Sequence, residues 1–365
     1  MFCISAKYVR YGYDKVSKRH FTMLILIFYY VLLCGLRYDV GVDYMAYLSE
    51  YECVKNYMTY DTDHFEPGWA WFTWLLSRND VHFTVYFGII AFVQIILLIG
   101  AFRNYPKLLP YLILAFFLGG YFINFQNVIR QNIVMCVFLF LVMRKYNANI
   151  LVYALVTFLC FFIHKSSIII FACYPVIRYF RFDIERKSLL AGIFLFCVFI
   201  GYSFDLFSIV ASNIGVLQII AGSEYSGYLS GNYLSMGTHN TMGVGFFLGV
   251  MVDLWLILTG KNVYNKLNND NNYLVWYRLF YIGTCLQYLF PTSMVLGRPI
   301  LYLTFFTIPI LASFIYYIAN DVRRSSLLYI GNMGVFAVLT LLFVVDHIIV
   351  PIGNMAEYHF WWEFY

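Results

Sequence analysis

Three arginines occupy places where an apolar chain has little reason to keep them: Arg37 closes the first apolar run, Arg130 enters the fourth and Arg298 enters the tenth. A guanidinium at membrane depth is costly, so one that persists needs an anionic partner, a wet cavity or a task. Acids and an imidazole occur at the same kind of position. The stretch GLRYDVGVDYMAYLSEYE, residues 35–52, places Asp39 and Asp43 beside Arg37; FEPGWAWF contributes Glu66; FFIHKSSIII contributes His164 and Lys165, with Ser167 three residues beyond the histidine. Guanidinium forks bind phosphate oxygens in a bidentate, always-charged way. A carboxylate or imidazole next to them can take a proton from a hydroxyl. Taken singly, each arginine reads as a side chain snorkelling to headgroups and the histidine as a satisfied interfacial residue. Taken together that reading weakens, because the distribution of basic residues described below should have cleared arginine from this face.

Other polar features are less specific. NFQNVIRQN spaces Asn124, Asn127 and Gln131 at i, i+3 and i+7, which predicts one polar helical face with Arg130 beside it. Tyr38, Tyr44, Tyr47 and Tyr302 offer flat faces and hydroxyls to sugars, although a chain with 34 tyrosines would place some there in any case. Asp253 is a second acid inside an apolar run, and Arg278 lies close enough to a run's end to snorkel. Asp61-Thr62-Asp63 has the D-x-D form of metal-binding glycosyltransferases, but it falls in a segment with five aspartates among 45 residues, where chance supplies such a match. No metal and no cofactor is predicted. Of eight cysteines only Cys53 lies well within an outer loop, which argues against a disulfide framework.

The elements that must position these groups are membrane helices. Charged residues make up 12% of the chain and aromatics 21%, and mean hydropathy is +0.72, whereas a soluble fold carries about a quarter charged residues. Apolar runs at 21–37, 83–102, 108–124, 128–144, 149–163, 166–178, 188–204, 241–259, 273–290, 299–319 and 326–346 predict eleven spans. Lipid leaves backbone groups no partner outside their own chain, and these runs lack the alternation of barrel strands, so the expected class is all-α, a single integral membrane domain over 1–365. Of 24 basic residues, 17 fall in the tail 1–20 and in every second connection. That bias puts the N-terminus in the cytoplasm and the C-terminus outside. The same bias reads 205–221 as lying on or dipping into the outer face, since a twelfth span there would invert every later basic loop. The apolar run after the basic tail lacks a small-residue cleavage site and is read as an uncleaved anchor. The outer loop 38–82 is acidic, and Pro67 predicts a helix start with a dense aromatic run behind it, lying at the interface. The outer segment 205–240 ends in a stretch rich in Gly, Ser, Asn and Tyr that is either a mobile cover or a plain connector.

In combination, GLRYDVGVDYMAYLSEYE, FEPGWAWF, VIRQNI, FFIHKSSIII and VLGRPILYL, in that order over residues 35–310, resemble the EpsG-like family of Wzy-type polysaccharide polymerases. The resemblance implies polymerisation of oligosaccharide repeat units carried on undecaprenyl diphosphate, at the outer face of the bacterial plasma membrane, on a GT-C-like scaffold. It implies lipid-linked donor and acceptor as partners, with a flippase and a chain-length regulator as associates, and no nucleic acid. The positions it carries over are Arg37, Gly41, Asp43, Tyr44, Glu66, Arg130, Gln131, His164, Ser166 and Arg298. Asp43, Glu66 and His164 are the catalytic candidates. Arg37, Arg130, Gln131, Lys165, Arg298, Tyr44 and Tyr302 are the substrate-binding ones.

Three rival activities remain open to the sequence. A transporter of lipid-linked sugar should show two related halves with charges at mid-membrane; no such halves are seen. An acyltransferase needs its histidine on the cytoplasmic side, and His164 is expected on the other. A ligase that moves finished glycan to another acceptor shares the donor chemistry.

Overall fold

The computed structural model describes residues 16–57, 66–145, 149–204, 206, 243–291, 294–320, 327–345, 349 and 358–364. Residues 1–15 of the basic tail, the Asp61-Thr62-Asp63 motif and, apart from residue 206, the segment 205–240 lie outside the described residues. Among the described residues the regular structure is helical, with one isolated antiparallel bridge between Arg37 and Phe360.

Fifteen helices are used below in chain order among the described residues: α1 Val16–Leu36, α2 Tyr44–Tyr57, α3 Pro67–Arg78, α4 Phe83–Ala101, α5 Leu109–Leu118, α6 Tyr121–Asn124, α7 Ile129–Met143, α8 Ile150–Phe161, α9 Ile168–Arg178, α10 Lys187–Ser203, α11 Val244–Lys266, α12 Asn271–Leu289, α13 Met294–Thr304, α14 Thr307–Ala319 and α15 Leu327–Val344. Among the described residues four stretches are long and apolar enough to cross a bilayer: Phe83–Asn104, Val244–Lys266, Leu296–Ala319 and Leu327–Val344. Shorter apolar helices include Leu109–Leu118, Ile129–Met143, Ile150–Phe161 and Lys187–Ser203. Length and hydropathy therefore mark a membrane protein with four candidate crossing helices among the described residues, while each of the other apolar runs is helical over part of its extent.

Two details depart from the sequence reading. The loop 38–82 holds a second helix, α2, which the sequence reading lacks and whose buried face is Tyr44, Tyr47, Leu48, Tyr51 and Val54. The run around Arg130 is broken: α6 ends at Asn124, and α7 starts at Ile129 after Val128 at φ +30. Asn124, Asn127 and Gln131 thus do not share one helical face. A β-branched residue in the left-handed region is unfavourable and persists only when its surroundings hold it, and here the surroundings are the site described below.

The described residues fall into two compact units. The first takes the described residues within Met1–Ala172, Leu311–Val322 and Leu339–Tyr365; the second takes those within Cys173–Ile310 and Arg323–Val338. In the first, α1 packs along α4, α4 along α7, and α2 on α3. Its core is aromatic: Tyr44 stacks on Phe87 at 4.7 Å, and Tyr86 meets Tyr51 at 4.5 Å and Phe72 at 5.6 Å. Such pairs add to plain area burial. In the second, α12 is tied to its neighbours by tyrosine hydroxyls. Tyr281 donates to the Leu190 carbonyl at 2.9 Å, Tyr277 to that of Ile257 at 2.8 Å, and Tyr288 to the Asp253 carboxylate at 3.0 Å. Asp253 thus has a polar partner, as a carboxyl within an apolar helix requires.

Candidate active site

Glu66 is the residue around which the first unit's polar groups collect. It immediately precedes α3 in extended conformation (φ −63, ψ 142), with Pro67 supplying the preset φ of a first helical turn. The free amides at the start of α3 dock on one carbonyl: Gly68 N and Trp69 N donate to Phe162 O at 2.8 and 3.2 Å. This places Glu66 against the His164–Lys165 turn. Gly68 allows the approach, since a Cβ there would sit 2.7 Å from the Phe162 oxygen. Gly68→Ala is accordingly expected to lower stability by about 1–3 kcal/mol and to reduce activity with it, read as a drop in melting temperature of the detergent-purified protein; a wild-type melt would contradict the docking.

The carboxylate is fully engaged. Oε1 accepts from the Lys165 main-chain N–H at 2.8 Å and bonds to His164 Nδ1 at 3.1 Å, and Oε2 forms an ion pair with the Arg130 guanidinium. Glu66 and His164 are buried. Burial alone would raise the Glu66 pKa, but the His164 bond, the Arg130 charge and the Lys165 amide outweigh it and hold the group at about 2, below the ordinary 4.5. Stability from this depressed carboxyl is fully present above the ordinary value and is lost as pH falls through the folded one. The melting difference between wild type and Glu66→Gln should therefore persist down to about pH 4.5 and vanish towards pH 2; a difference that disappears near neutrality would contradict the ion pair.

An ionised carboxylate only accepts hydrogen bonds, so His164 Nδ1 carries the proton and a neutral ring keeps its lone pair on Nε2. That Nε2 is buried and has no hydrogen-bond partner among the described residues; nor has the buried Ser167 Oγ. The arrangement is a carboxylate-oriented imidazole whose other nitrogen is buried and lacks a partner among the described residues. The histidine and serine are not hydrogen-bonded to each other, so they form no nucleophilic triad.

The broken stretch Gln126–Arg130 is the spine of the site. Gln126 Oε1 accepts from Arg37 Nη1 at 3.2 Å, and the same nitrogen donates to Val40 O at 3.0 Å. The Asp43 carboxylate accepts from Val128 N at 3.0 Å, capping α7 from another part of the chain, and the Asp43 amide reaches Asn127 Oδ1 at 3.5 Å. Asn132 closes the break from behind, donating to the carbonyls of Asn124 and Asn127 at 2.7 and 3.0 Å. Gly41, at φ +103, turns the chain under Asn127, whose Oδ1 would lie 2.6 Å from any Cβ. The two guanidiniums sit over Tyr44 and Tyr47, one turn apart on α2: Arg37 at 5.1 Å and Arg130 at 5.9 Å from the ring centres. Arg37 is 2% exposed, its Nε has no partner, and no carboxylate among the described residues pairs with it. Arg130 is neutralised by Glu66; Arg37 is not.

The structure therefore gathers Arg37, Asp43, Glu66, Arg130, His164 and Lys165 in the first unit. Gln131 is buried one position past Arg130. Tyr44 is fully buried, and its hydroxyl donates to Arg37 O at 2.9 Å, so it supports the arginine. Arg298 and the fully buried Tyr302 lie on α13 in the second unit. Gln126, Asn132 and the Phe162 carbonyl were not singled out from sequence. The first two stood in plain view in the NFQNVIRQN stretch; a main-chain carbonyl leaves no sequence signal.

No curated protein and no solved structure matched this chain. A family model described as EpsG family matches residues 20–360. Extended over nearly the whole sequence and joined to the apolar helices, that match makes this chain a member of the EpsG family, a membrane protein of polysaccharide biosynthesis.

Proposed function

We infer that the protein polymerises lipid-linked oligosaccharide units by glycosyl transfer, with a polyprenyl diphosphate as leaving group, at the outer face of a bacterial plasma membrane. The observation that carries this reading is the buried Glu66–His164 pair, with Nε2 unpartnered among the described residues, joined through Arg130 to the short spine that also holds Arg37, with which no described carboxylate pairs. An acceptor hydroxyl loses its proton to Nε2 as its oxygen attacks the anomeric carbon; the carbon–oxygen bond to diphosphate breaks, and the lipid diphosphate departs with the electron pair. Negative charge develops on that leaving group, and a buried cation that no described carboxylate pairs with is the group whose field it gains most from. Glu66 and Arg130 serve as the frame that fixes the imidazole, and Asp43 fixes the spine. Arg298, in the second unit, is given no role in this site, and the topology in this reading is eleven spans with the N-terminus inside.

Cells lacking the protein distinguish this from transport. They should accumulate single lipid-linked units whose sugars are open to a membrane-impermeant periodate reagent, with long glycan absent. Units that stay shielded inside such cells would mean a flippase and would overturn the reading.

A further inference from the structure

We propose that the segment Tyr358–Phe364 is a strap that positions Arg37 for the reaction, a role that rests on the reading of Arg37 above. The first helix ends at Leu36, and Asp39 (φ +50) and Gly41 (φ +103) turn the chain away at once. Arg37 thus sits at an unsupported helix end, where the last carbonyls lack partners within the helix. Two attachments hold it. From α2, the Tyr44 hydroxyl donates to Arg37 O at 2.9 Å. From the far end of the chain, Phe360 forms the antiparallel bridge with Arg37, Tyr38 N donates to His359 O at 2.9 Å, and the Tyr358 hydroxyl donates to Leu33 O at 2.6 Å.

Side chains anchor the strap on both sides of the bridge. Phe364 lies 4.9 Å from the Tyr38 ring, and Trp361 meets His82 at 5.3 Å and packs on the core cluster that includes Tyr44 and Phe87. Glu363 closes the strap's own turn, bonding His359 Nδ1 and Phe360 N, each at 3.0 Å. A segment with this many specific attachments around one residue fixes where that residue's side chain starts. A buried charge acts on a reacting group through distance, so a shift of about 1 Å can change the rate by up to about 100-fold.

The test uses the full-length protein in detergent and lipid-linked units isolated from cells that lack it, comparing Tyr358→Phe, Trp361→Ala, a deletion of 358–365, Arg37→Gln, and each strap variant combined with Arg37→Gln. Strap variants that melt like wild type should lose about tenfold in kcat with little change in KM. Each should add nothing once Arg37 is already glutamine. Losses that multiply with Arg37→Gln, or strap variants with wild-type kcat beside an impaired Arg37→Gln, overturn the strap alone. A fully active Arg37→Gln would instead overturn the role of Arg37 itself, and the strap with it. Should the deletion fail to fold, the two point variants decide.

Discussion

His164→Asn is expected to lower turnover of the lipid-linked unit by about 10²- to 10⁴-fold while leaving its binding and the protein's melting temperature near wild type. Asparagine still presents an N–H to Glu66 Oε1, which His164 Nδ1 now meets at 3.1 Å, so the frame survives. The lone pair on Nε2 is what disappears. The comparison that gives this prediction force is Asp43→Asn. Asp43 accepts from Val128 N with one oxygen, a bond the asparagine carbonyl can make equally well, so its loss of turnover should be slight. A severe Asp43→Asn defect beside an active His164→Asn would exchange the roles of base and scaffold. The measurement is single-turnover transfer with saturating acceptor, which separates chemistry from binding.

Arg130→Ala is expected to destabilise the folded protein by about 3 kcal/mol or more, because it strands a buried carboxylate. Glu66 and Arg130 have side chains only 7% and 17% exposed, and the guanidinium is the charge that neutralises Glu66. Activity should fall with the folded fraction, and Arg130→Ala combined with Glu66→Gln should recover much of the stability by removing the stranded charge. Reduced protein level is thus the expected outcome for Arg130→Ala, in contrast to a simple loss of phosphate contact at constant level. Equal melts for the single and double variants would show that the ion pair contributes little.

Much of this architecture could be read from the sequence, for physical reasons that differ by region. Apolar runs predict helices because lipid permits little else, and each of those runs is helical over part of its length. Pro67 after Glu66 predicted the start of α3 because a preset φ and a missing N–H suit that position. The grouping of Arg37, Arg130 and Arg298 with Asp43, Glu66, His164 and Lys165 as candidates came from charge where charge is costly, and of these Arg298 lies in the second unit. Their pairing was not legible: Glu66 and His164 are 98 residues apart, and nothing local says that Arg130 rather than Arg37 takes the carboxylate. The break before α7 was hidden because Val128 is a poor residue for a left-handed position, and it is held there by Asp43 from far along the chain. The strap was hidden for the same reason, since a single bridge between residues 37 and 360 has no local pattern.

The central claim is that a sugar–diphosphate bond breaks each time a glycan bond forms, and counting the leaving group tests it most directly. Purified protein incubated with lipid-linked units should release one polyprenyl diphosphate for every linkage added to the growing ladder, and release should nearly cease in His164→Asn. Ladder growth without released polyprenyl diphosphate, or release without growth, would contradict the account.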